Sequence, residues 1–155
     1  MTPELFCILA DFFQRISETL FVILIAGNHD CNLSNNDRMD ALTPVFKKNE
    51  YLDKRISYLT KSGFYQYHNI LFGFTFTGEQ KVLNEGEIPK EYFNKISQEN
   101  KYKIALYHGT IRGSMTDLGY EISSARVRAK DFRNYQYGFF GDIHCYQYLN
   151  KNKTM

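Results

Sequence analysis

The pattern of apolar and polar positions predicts a helix followed by a buried strand at the start of the chain. Thr2 and Pro3 are typical of a helix start, because threonine caps the first turn and proline suits the first helical position. The predicted helix has a single apolar stripe, made of Leu5, Leu9, Phe12, Phe13 and Ile16. Residues 21–26 are a continuous apolar run, which predicts a strand that is buried on both faces in a parallel sheet.

The rest of the chain predicts short strands, two further helices and loops. Short helices are predicted at residues 41–48 and 89–98, the second with a proline near its start. The predicted strands lie within residues 51–61, on either side of His68 and Asn69 within residues 64–76, and at residues 103–107 and 137–140. Residues 32–40, 77–87 and 110–120 are predicted to be loops. These elements indicate an α/β fold.

Composition limits the class of protein but does not select a ligand. A chain of 155 residues can bury a core and fits one domain. Lys and Arg number 19 against 17 Asp and Glu, so net charge favours neither nucleic acid nor a membrane. Cys7, Cys31 and Cys145 lack paired spacing, which argues against a disulfide framework and a cysteine-based zinc site. With no secretory signal or membrane-length apolar segment, we expect a soluble, intracellular protein without a membrane partner.

Polar side chains suited to metal chemistry follow three of the predicted strands. They are Asn28, His29 and Asp30 after residues 21–26, His108 after residues 103–107, and Asp142 and His144 after residues 137–140. Because functional groups gather at the carboxyl ends of strands in α/β sheets, the three junctions indicate one shared site. Asp142 and His144 are two residues apart, so on an extended segment they would point to the same side. Oxygen and imidazole ligands together suit Mn, Fe or Zn.

Interpretations without a functional role apply to the first junction and to two other parts of the chain. Gly27 and Asn28 are common in turns, so a solvated loop is the alternative for the first junction. Residues 126–133 contain four basic side chains, which we interpret as a solvated face. His68 lies in an apolar region without a partner motif and is predicted to be structural.

The three junctions resemble motifs of the calcineurin-like metallophosphoesterases. Gly27-Asn-His-Asp30, His108-Gly109 and Gly141-Asp-Ile-His144 are similar to the third, fourth and fifth motifs of that family. The segment from Tyr137 to Gln147 looks most like the branch of double-strand-break-repair nucleases and SbcD-type exonuclease subunits, in which a glutamine commonly follows the last motif. In motif order, the resemblance extends over residues 2–147.

The resemblance implies a fold, an activity and a set of partners. The fold would be part of a four-layer α/β/β/α sandwich with two divalent metal ions at the strand ends, manganese first and iron or zinc as alternatives. The activity would be hydrolysis of phosphate esters, with DNA phosphodiesters as the expected substrate. A homodimer and an SMC-like ATPase partner are also implied for this branch.

The resemblance also assigns roles to individual residues. Asn28 and His108 would bind the second metal, and His144 would bind the first. His29 would contact the scissile phosphate or protonate the leaving group, with Asp30 orienting its ring. Asp142 replaces the usual histidine of the family but is itself a ligand for hard metals. The position of Arg112, soon after His108, adds our own inference that its side chain could reach a phosphate.

The first two motifs of the family, Asp-x-His and Gly-Asp-x-x-Asp, have no counterpart in this sequence. They supply the carboxylate that bridges the two metals and most ligands of the first metal. We therefore expect a single partial domain over residues 1–155, with an unpaired apolar edge beside residues 21–26 and one weakly held metal. Hydrolysis by this chain is expected to be impaired. The alternatives are a non-catalytic remnant that binds a partner or nucleic acid, and a phosphatase acting on a phosphoprotein or nucleotide.

Overall fold

The computed structural model describes residues 2–35, 38–46, 55–79, 81–84, 87 and 102–155. The chain divides into two compact units, residues 1–60 and residues 61–155, and each is described by itself. Each unit contains one β-sheet, and the chain as a whole is mixed α/β, as predicted. The predicted helix at residues 89–98 lies outside the described residues. None of the helices in the described ranges is long and apolar enough to cross a membrane.

The first unit begins with helix α1, Pro3–Ser17. The side chain of Thr2 caps it by accepting a hydrogen bond from the backbone N–H of Leu5 at 3.4 Å, which confirms the predicted helix start. Glu4 in the first turn and Arg15 in the last turn both have the sign that complements the helix dipole.

The buried face of α1 differs from the predicted stripe. Phe6, Leu9, Ala10 and Phe13 pack towards the core of the first unit. Leu5 and Phe12, in contrast, are 41% and 52% exposed, so the prediction was wrong for these two positions. The cause is that apolar residues occur around most of this helix. Its periodicity therefore fits more than one face, and tertiary packing decides which face is buried.

The sheet of the first unit pairs strand β1, Val22–Ile25, with strand β2, Ile56–Leu59, in parallel. The short helix α2, Thr43–Phe46, lies between them in sequence, as predicted. Val22 and Leu24 pack with the helices, and all four β1 residues are half-buried instead of fully buried. Within the described residues β1 has one strand partner, which explains why burial on both faces was too strong an expectation.

The second unit contains a four-stranded sheet of order β3-β4-β5-β6. The strands are β3, Gly63–Tyr67; β4, Ile70–Thr75; β5, Tyr102–His108; and β6, Tyr137–Gly141. Strands β3 and β4 form an antiparallel hairpin, and β4, β5 and β6 run parallel. His68 occupies the hairpin turn with a φ of +49° and is exposed, and its structural role stays a prediction.

The core of the second unit lies between β5 and the segment that precedes β6. Ala105 and Tyr107 of β5 pack with Val127, Phe132 and Tyr135. The last turn before β6 is a 3₁₀ helix, Ala129–Phe132. The four basic side chains of residues 126–133 are exposed while Val127 and Phe132 are buried, so the segment has the solvated basic face that we predicted.

Candidate functional site

Two of the three predicted junctions lie next to each other, at the carboxyl ends of neighbouring strands in the second unit's sheet. Strands β5 and β6 are parallel neighbours, and His108 at the end of β5 pairs with Gly141 at the end of β6. The carbonyl oxygen of His108 accepts a hydrogen bond from Thr77 Oγ1 at 3.1 Å, which fixes the end of β5. The ends of β5 and β6 therefore lie side by side, as predicted, with Asp142 directly after Gly141.

Gly141 makes room for the imidazole of His108. A β-carbon at residue 141 would overlap Nδ1 of His108, closer than any real contact of a β-carbon. The ring thus lies against the backbone of β6, immediately before Asp142. A glycine at this position is explained by the close approach of a side chain, not by a left-handed backbone.

Asp142 has a left-handed backbone, with a φ of +69°. Strand β6 ends at Gly141, so Asp142 and His144 do not lie on one extended segment, and the expectation that rested on that geometry was wrong. Aspartate tolerates this conformation better than most residues, and such outliers often occur at functional sites. Ile143 packs against the core cluster, while His144 is exposed.

The charge of Asp142 acts on a buried neighbour, Tyr107. Burial raises the pKa of the Tyr107 hydroxyl, and the negative charge of Asp142 raises this pKa further. The side chain of Tyr107 is therefore held neutral beside the strand ends. Tyr107 was not predicted to be a functional residue, because in the sequence it is one of several apolar residues in a predicted strand.

The loop after β5 is tied to the segments around it. The backbone N–H of Arg112 donates to the carbonyl of Val127 at 2.8 Å, and its side-chain Nε donates to the carbonyl of Ala125 at 2.7 Å. Gly113 and Gly119 have positive φ values of +89° and +80°, so the loop turns where glycine is favoured. The guanidinium of Arg112 thus has a structural contact, and its contact with a phosphate stays a prediction.

Gln147 joins the same loop to the segment after β6. Its Oε1 accepts a hydrogen bond from the backbone N–H of Met115 at 2.8 Å. Its Nε2 donates to the carbonyls of Met115 and Cys145, at 2.8 Å and 3.0 Å. The amide therefore pairs with the Met115 peptide as a neighbouring strand would. The motif resemblance singled out Gln147, but its contact with Met115 was not predicted.

The third predicted junction, after β1, belongs to the first unit. The Asp30 carboxylate accepts a hydrogen bond from the backbone N–H of Gly27 at 2.9 Å, and the backbone N–H of Asp30 donates to the Gly27 carbonyl at 3.1 Å. Asn28 is half-buried and His29 is exposed. Asp30 thus closes a turn with Gly27, which is what the alternative interpretation of this junction as a loop expects. That Asp30 orients the ring of His29 stays a prediction.

Asp40 forms a second polar centre in the first unit, close to this turn. Its carboxylate accepts hydrogen bonds from the backbone N–H groups of Leu42 and Thr43, the Thr43 hydroxyl and, at 2.7 Å, the Tyr58 hydroxyl. Burial opposes ionisation of Asp40, but these hydrogen bonds outweigh it and lower the pKa of the carboxyl. Burial, followed by the charges of Asp40 and Asp30, raises the pKa of the Cys31 thiol.

Sequence analysis missed Asp40. The sequence does contain a local signal for its capping role. Asp40 comes shortly before Thr43 and Pro44, a combination that is typical of a helix start. The contact with Tyr58, in contrast, joins residues that are far apart in sequence and has no local signal. All three cysteines, including Cys31, are free thiols.

The metal-binding potential of the second unit is best judged from its donors. Within the described part of the chain, no group of three or more His, Cys, Asp and Glu side chains could hold a metal ion. His108 and Asp142, however, supply an imidazole and a carboxylate at adjacent strand ends, and Gly141 accommodates the ring between them. Imidazole and carboxylate are both ligand types that a divalent ion such as Mn²⁺ accepts, so the donor chemistry suits such an ion.

The chain was compared with known proteins. No protein-family model matches it. It is 48% identical over 155 residues, its full length, to uncharacterized protein R555 of Acanthamoeba polyphaga mimivirus. The chain spans 11% of the length of that protein. The match therefore relates the chain to one region of a much longer protein without assigning an activity to it.

Proposed function

We propose that this chain is part of a calcineurin-like metallophosphoesterase domain that acts on phosphodiesters. The proposal rests on one observation. The His108 imidazole packs against Gly141, directly before Asp142, at the ends of two parallel strands. The His108 ring fills the side-chain space of Gly141, next to Asp142, whose left-handed backbone is a conformation that often occurs at functional sites.

The proposed roles follow the motif resemblance. In the second unit, His108, Asp142 and His144 would hold divalent metal, with manganese as the first candidate. For Asn28, in the first unit, a ligand role comes from the motif resemblance alone. Bound metal stabilises the charge on the attacking and leaving oxygens of a phosphate ester. The exposed His29 would contact the phosphate or donate a proton to the leaving group. The complete domain would be the four-layer sandwich of the family, and Arg112 is a weaker candidate for phosphate contact.

Metal binding gives the first test. Mn²⁺ is titrated into the purified chain by calorimetry, and free Mn²⁺ is followed in parallel by electron paramagnetic resonance. We expect His108→Ala and Asp142→Asn each to weaken binding by more than about tenfold, as loss of a metal-site residue does. His68→Asn is the matched control, because His68 is exposed at the hairpin turn and asparagine tolerates its positive φ. Absence of Mn²⁺ binding, or equal weakening in the control, would overturn the proposal.

Hydrolysis gives the second test. A chromogenic phosphodiester, linear DNA and a nucleotide monoester are each incubated with the chain and Mn²⁺. We expect slow phosphodiester cleavage that His29→Ala abolishes. Faster cleavage of the monoester than of DNA would favour the phosphatase alternative. Rapid turnover comparable to that of a complete two-metal enzyme would contradict our expectation that activity is impaired in this chain.

A further inference from the structure

An aromatic pocket lies beside β6 and the segment that follows it, within the second unit. Its cavity has a volume of about 430 Å³. The lining includes Tyr137, Phe139, Phe140, Tyr146, Tyr148 and Lys153. Tyr146 is 85% exposed and Phe139 is 64% exposed, so a large aromatic surface faces solvent at this position. The exposed rings are accessible to a ligand that can stack on an aromatic face.

Tyr146 and Tyr148 form a pair at the mouth of this pocket. Their ring centroids are 5.6 Å apart with an interplanar angle of 71°, and their hydroxyl groups share a hydrogen bond of 2.7 Å. The Lys153 ammonium lies 5.8 Å from the centroid of the Tyr148 ring, a cation–π contact. The pair therefore combines an open aromatic face on Tyr146 with a positive charge beside Tyr148.

The backbone around the pair is held in place by hydrogen bonds. Gln147, between the two tyrosines, is bonded to the peptide of Met115 and to the carbonyl of Cys145. The chain then folds back, because the backbone N–H of Leu149 donates to the Met155 carbonyl at 2.6 Å. The N–H of Gly138 in β6 donates to the Thr154 carbonyl at 2.9 Å. The tyrosines are thus presented on a fixed backbone, which lowers the entropy cost of binding.

The charge around the pocket favours an anionic ligand. Among the residues that the structure describes, the pocket lining includes the positively charged side chain of Lys153 and no aspartate or glutamate side chain. An aromatic face with a neighbouring ammonium group matches a nucleotide, whose base stacks and whose phosphate is negative. An apolar protein segment would use the rings but would leave the positive charge uncompensated.

We propose that this pocket binds single-stranded nucleic acid, with a base stacked on Tyr146 and the adjacent phosphate beside Lys153. The proposal deepens the phosphodiesterase function and rests on it for the choice of a nucleic-acid ligand. Tyr146 is two residues after His144, so a stacked base would lie close to the proposed hydrolytic residues of the second unit. Stacking explains binding without base-specific contacts, since every base has a flat face.

The test measures binding of fluorescein-labelled oligothymidine by anisotropy, in EDTA and at low salt. We expect Tyr146→Ala to weaken binding about five- to 150-fold, the loss that removal of one stacking partner causes. Tyr146→Phe keeps the ring and should bind as the wild type does. Lys153→Ala should weaken binding and reduce its salt dependence. Tyr65→Ala and Lys61→Ala are the matched controls, because they lie at or beside β3, at the opposite edge of the sheet.

An abasic oligonucleotide of the same length separates stacking from charge. We expect it to bind the wild type and Tyr146→Ala equally and weakly. Equal affinity of the wild type for the abasic and thymidine strands would overturn the proposal, as would wild-type binding by Tyr146→Ala. Loss of dimers in Tyr146→Ala, measured by light scattering, would instead identify a face for self-association and also overturn it. Because EDTA is present, a failure of metal binding leaves this result unaffected.

Discussion

The imidazole of His108 lies against Gly141, its partner in the parallel pairing of β5 with β6. A methyl group at residue 141 would overlap the ring, so Gly141→Ala must displace the histidine or the strand end. We expect this substitution to lower the free energy of unfolding by about 1–3 kcal/mol, the usual cost of overpacking. It should also weaken Mn²⁺ binding. Urea denaturation and NMR of the His108 ring signals measure the two effects.

Gly63→Ala provides the control for this prediction. Gly63 also lies in a strand, but a β-carbon there would lie 3.4 Å from the nearest atom of Tyr65, an ordinary contact. We therefore expect no loss of stability from Gly63→Ala and no change in the His108 signals. Unchanged His108 signals in Gly141→Ala would show that the ring does not occupy the position described.

The hydrogen bond from Tyr58 to Asp40 is predicted to stabilise the first unit. Tyr58→Phe removes the donor but leaves the Asp40 carboxylate half-buried. A hydrogen bond to a charged group contributes about 1.5–3 kcal/mol, so we expect a loss within this range. Tyr65→Phe removes a hydroxyl that donates to the exposed carbonyl of Lys61 at 2.6 Å, and it should cost less. Thermal and urea unfolding compare the two, and equal losses would contradict the prediction.

Asp40 should also make stability depend on pH in the acid range. Its pKa is lowered in the folded state, so the ionised carboxylate stabilises the fold above its ordinary pKa of about 4. This contribution is lost as the pH falls through the lowered pKa. Asp40→Asn should therefore show a smaller fall in the free energy of unfolding than the wild type between about pH 5 and pH 2. Parallel pH profiles for the two proteins would rule out this role.

Gln147 is predicted to order the loop after β5. Gln147→Glu loses the N–H donors to Met115 and Cys145 and places a negative charge beside two carbonyl oxygens. We expect a loss of about 0.5–1.5 kcal/mol, the contribution of an ordinary hydrogen bond, because the Met115 carbonyl is exposed to water and the Cys145 carbonyl is half-buried. Hydrogen exchange of residues 111–122 should become faster.

Gln136→Glu is the matched control for Gln147→Glu. The Gln136 side chain accepts a hydrogen bond from the backbone N–H of Lys103 at 2.7 Å, and a glutamate oxygen can accept it equally well. We expect little change in stability and none in the exchange of residues 111–122. Slow exchange of that loop in Gln147→Glu would show that other contacts hold it.

Asp142 is predicted to influence the titration of Tyr107. Asp142→Asn removes the negative charge and should lower the pKa of Tyr107. This pKa should stay above that of a free tyrosine, because burial is the larger cause of the shift. The variant should fold, since asparagine also tolerates a positive φ. Carbon-13 NMR of labelled tyrosines follows the titration, with Tyr107→Phe used to assign the signal. An unchanged pKa would place the carboxylate too far away to act.

Local structure was predictable from sequence wherever one short segment determines it. Thr2 and Pro3 marked the start of α1, and strands were predicted on either side of His68 and Asn69, where β3 and β4 lie. The polar residues after β5 and β6 marked strand ends that are neighbours in the sheet. Each of these signals depends on residue type and spacing along a few positions, which is the information that a single sequence contains.

Contacts between distant segments were not predictable in the same way. The helical spacing of α1 did not select between Phe12 and Phe6 as core residues, because that choice depends on what packs against the helix. The left-handed backbone of Asp142 and the pairing of Gln147 with Met115 also depend on the folded surroundings. The metal, the substrate and membership of the phosphoesterase family stay predictions, carried by the motif residues and the arrangement around His108.

The strand pairing in the second unit has a consequence for the order of folding. The β3–β4 hairpin joins neighbouring segments, and such hairpins form within microseconds. In contrast, Ile70 of β4 pairs with Tyr102 and Ile104 of β5 with Tyr137, so both parallel pairings must close long stretches of chain. We therefore expect β6 to be added late in folding. His108 would then gain its neighbour Gly141 only when the sheet is complete, and a nascent chain that ends before β6 could not bring these two residues together.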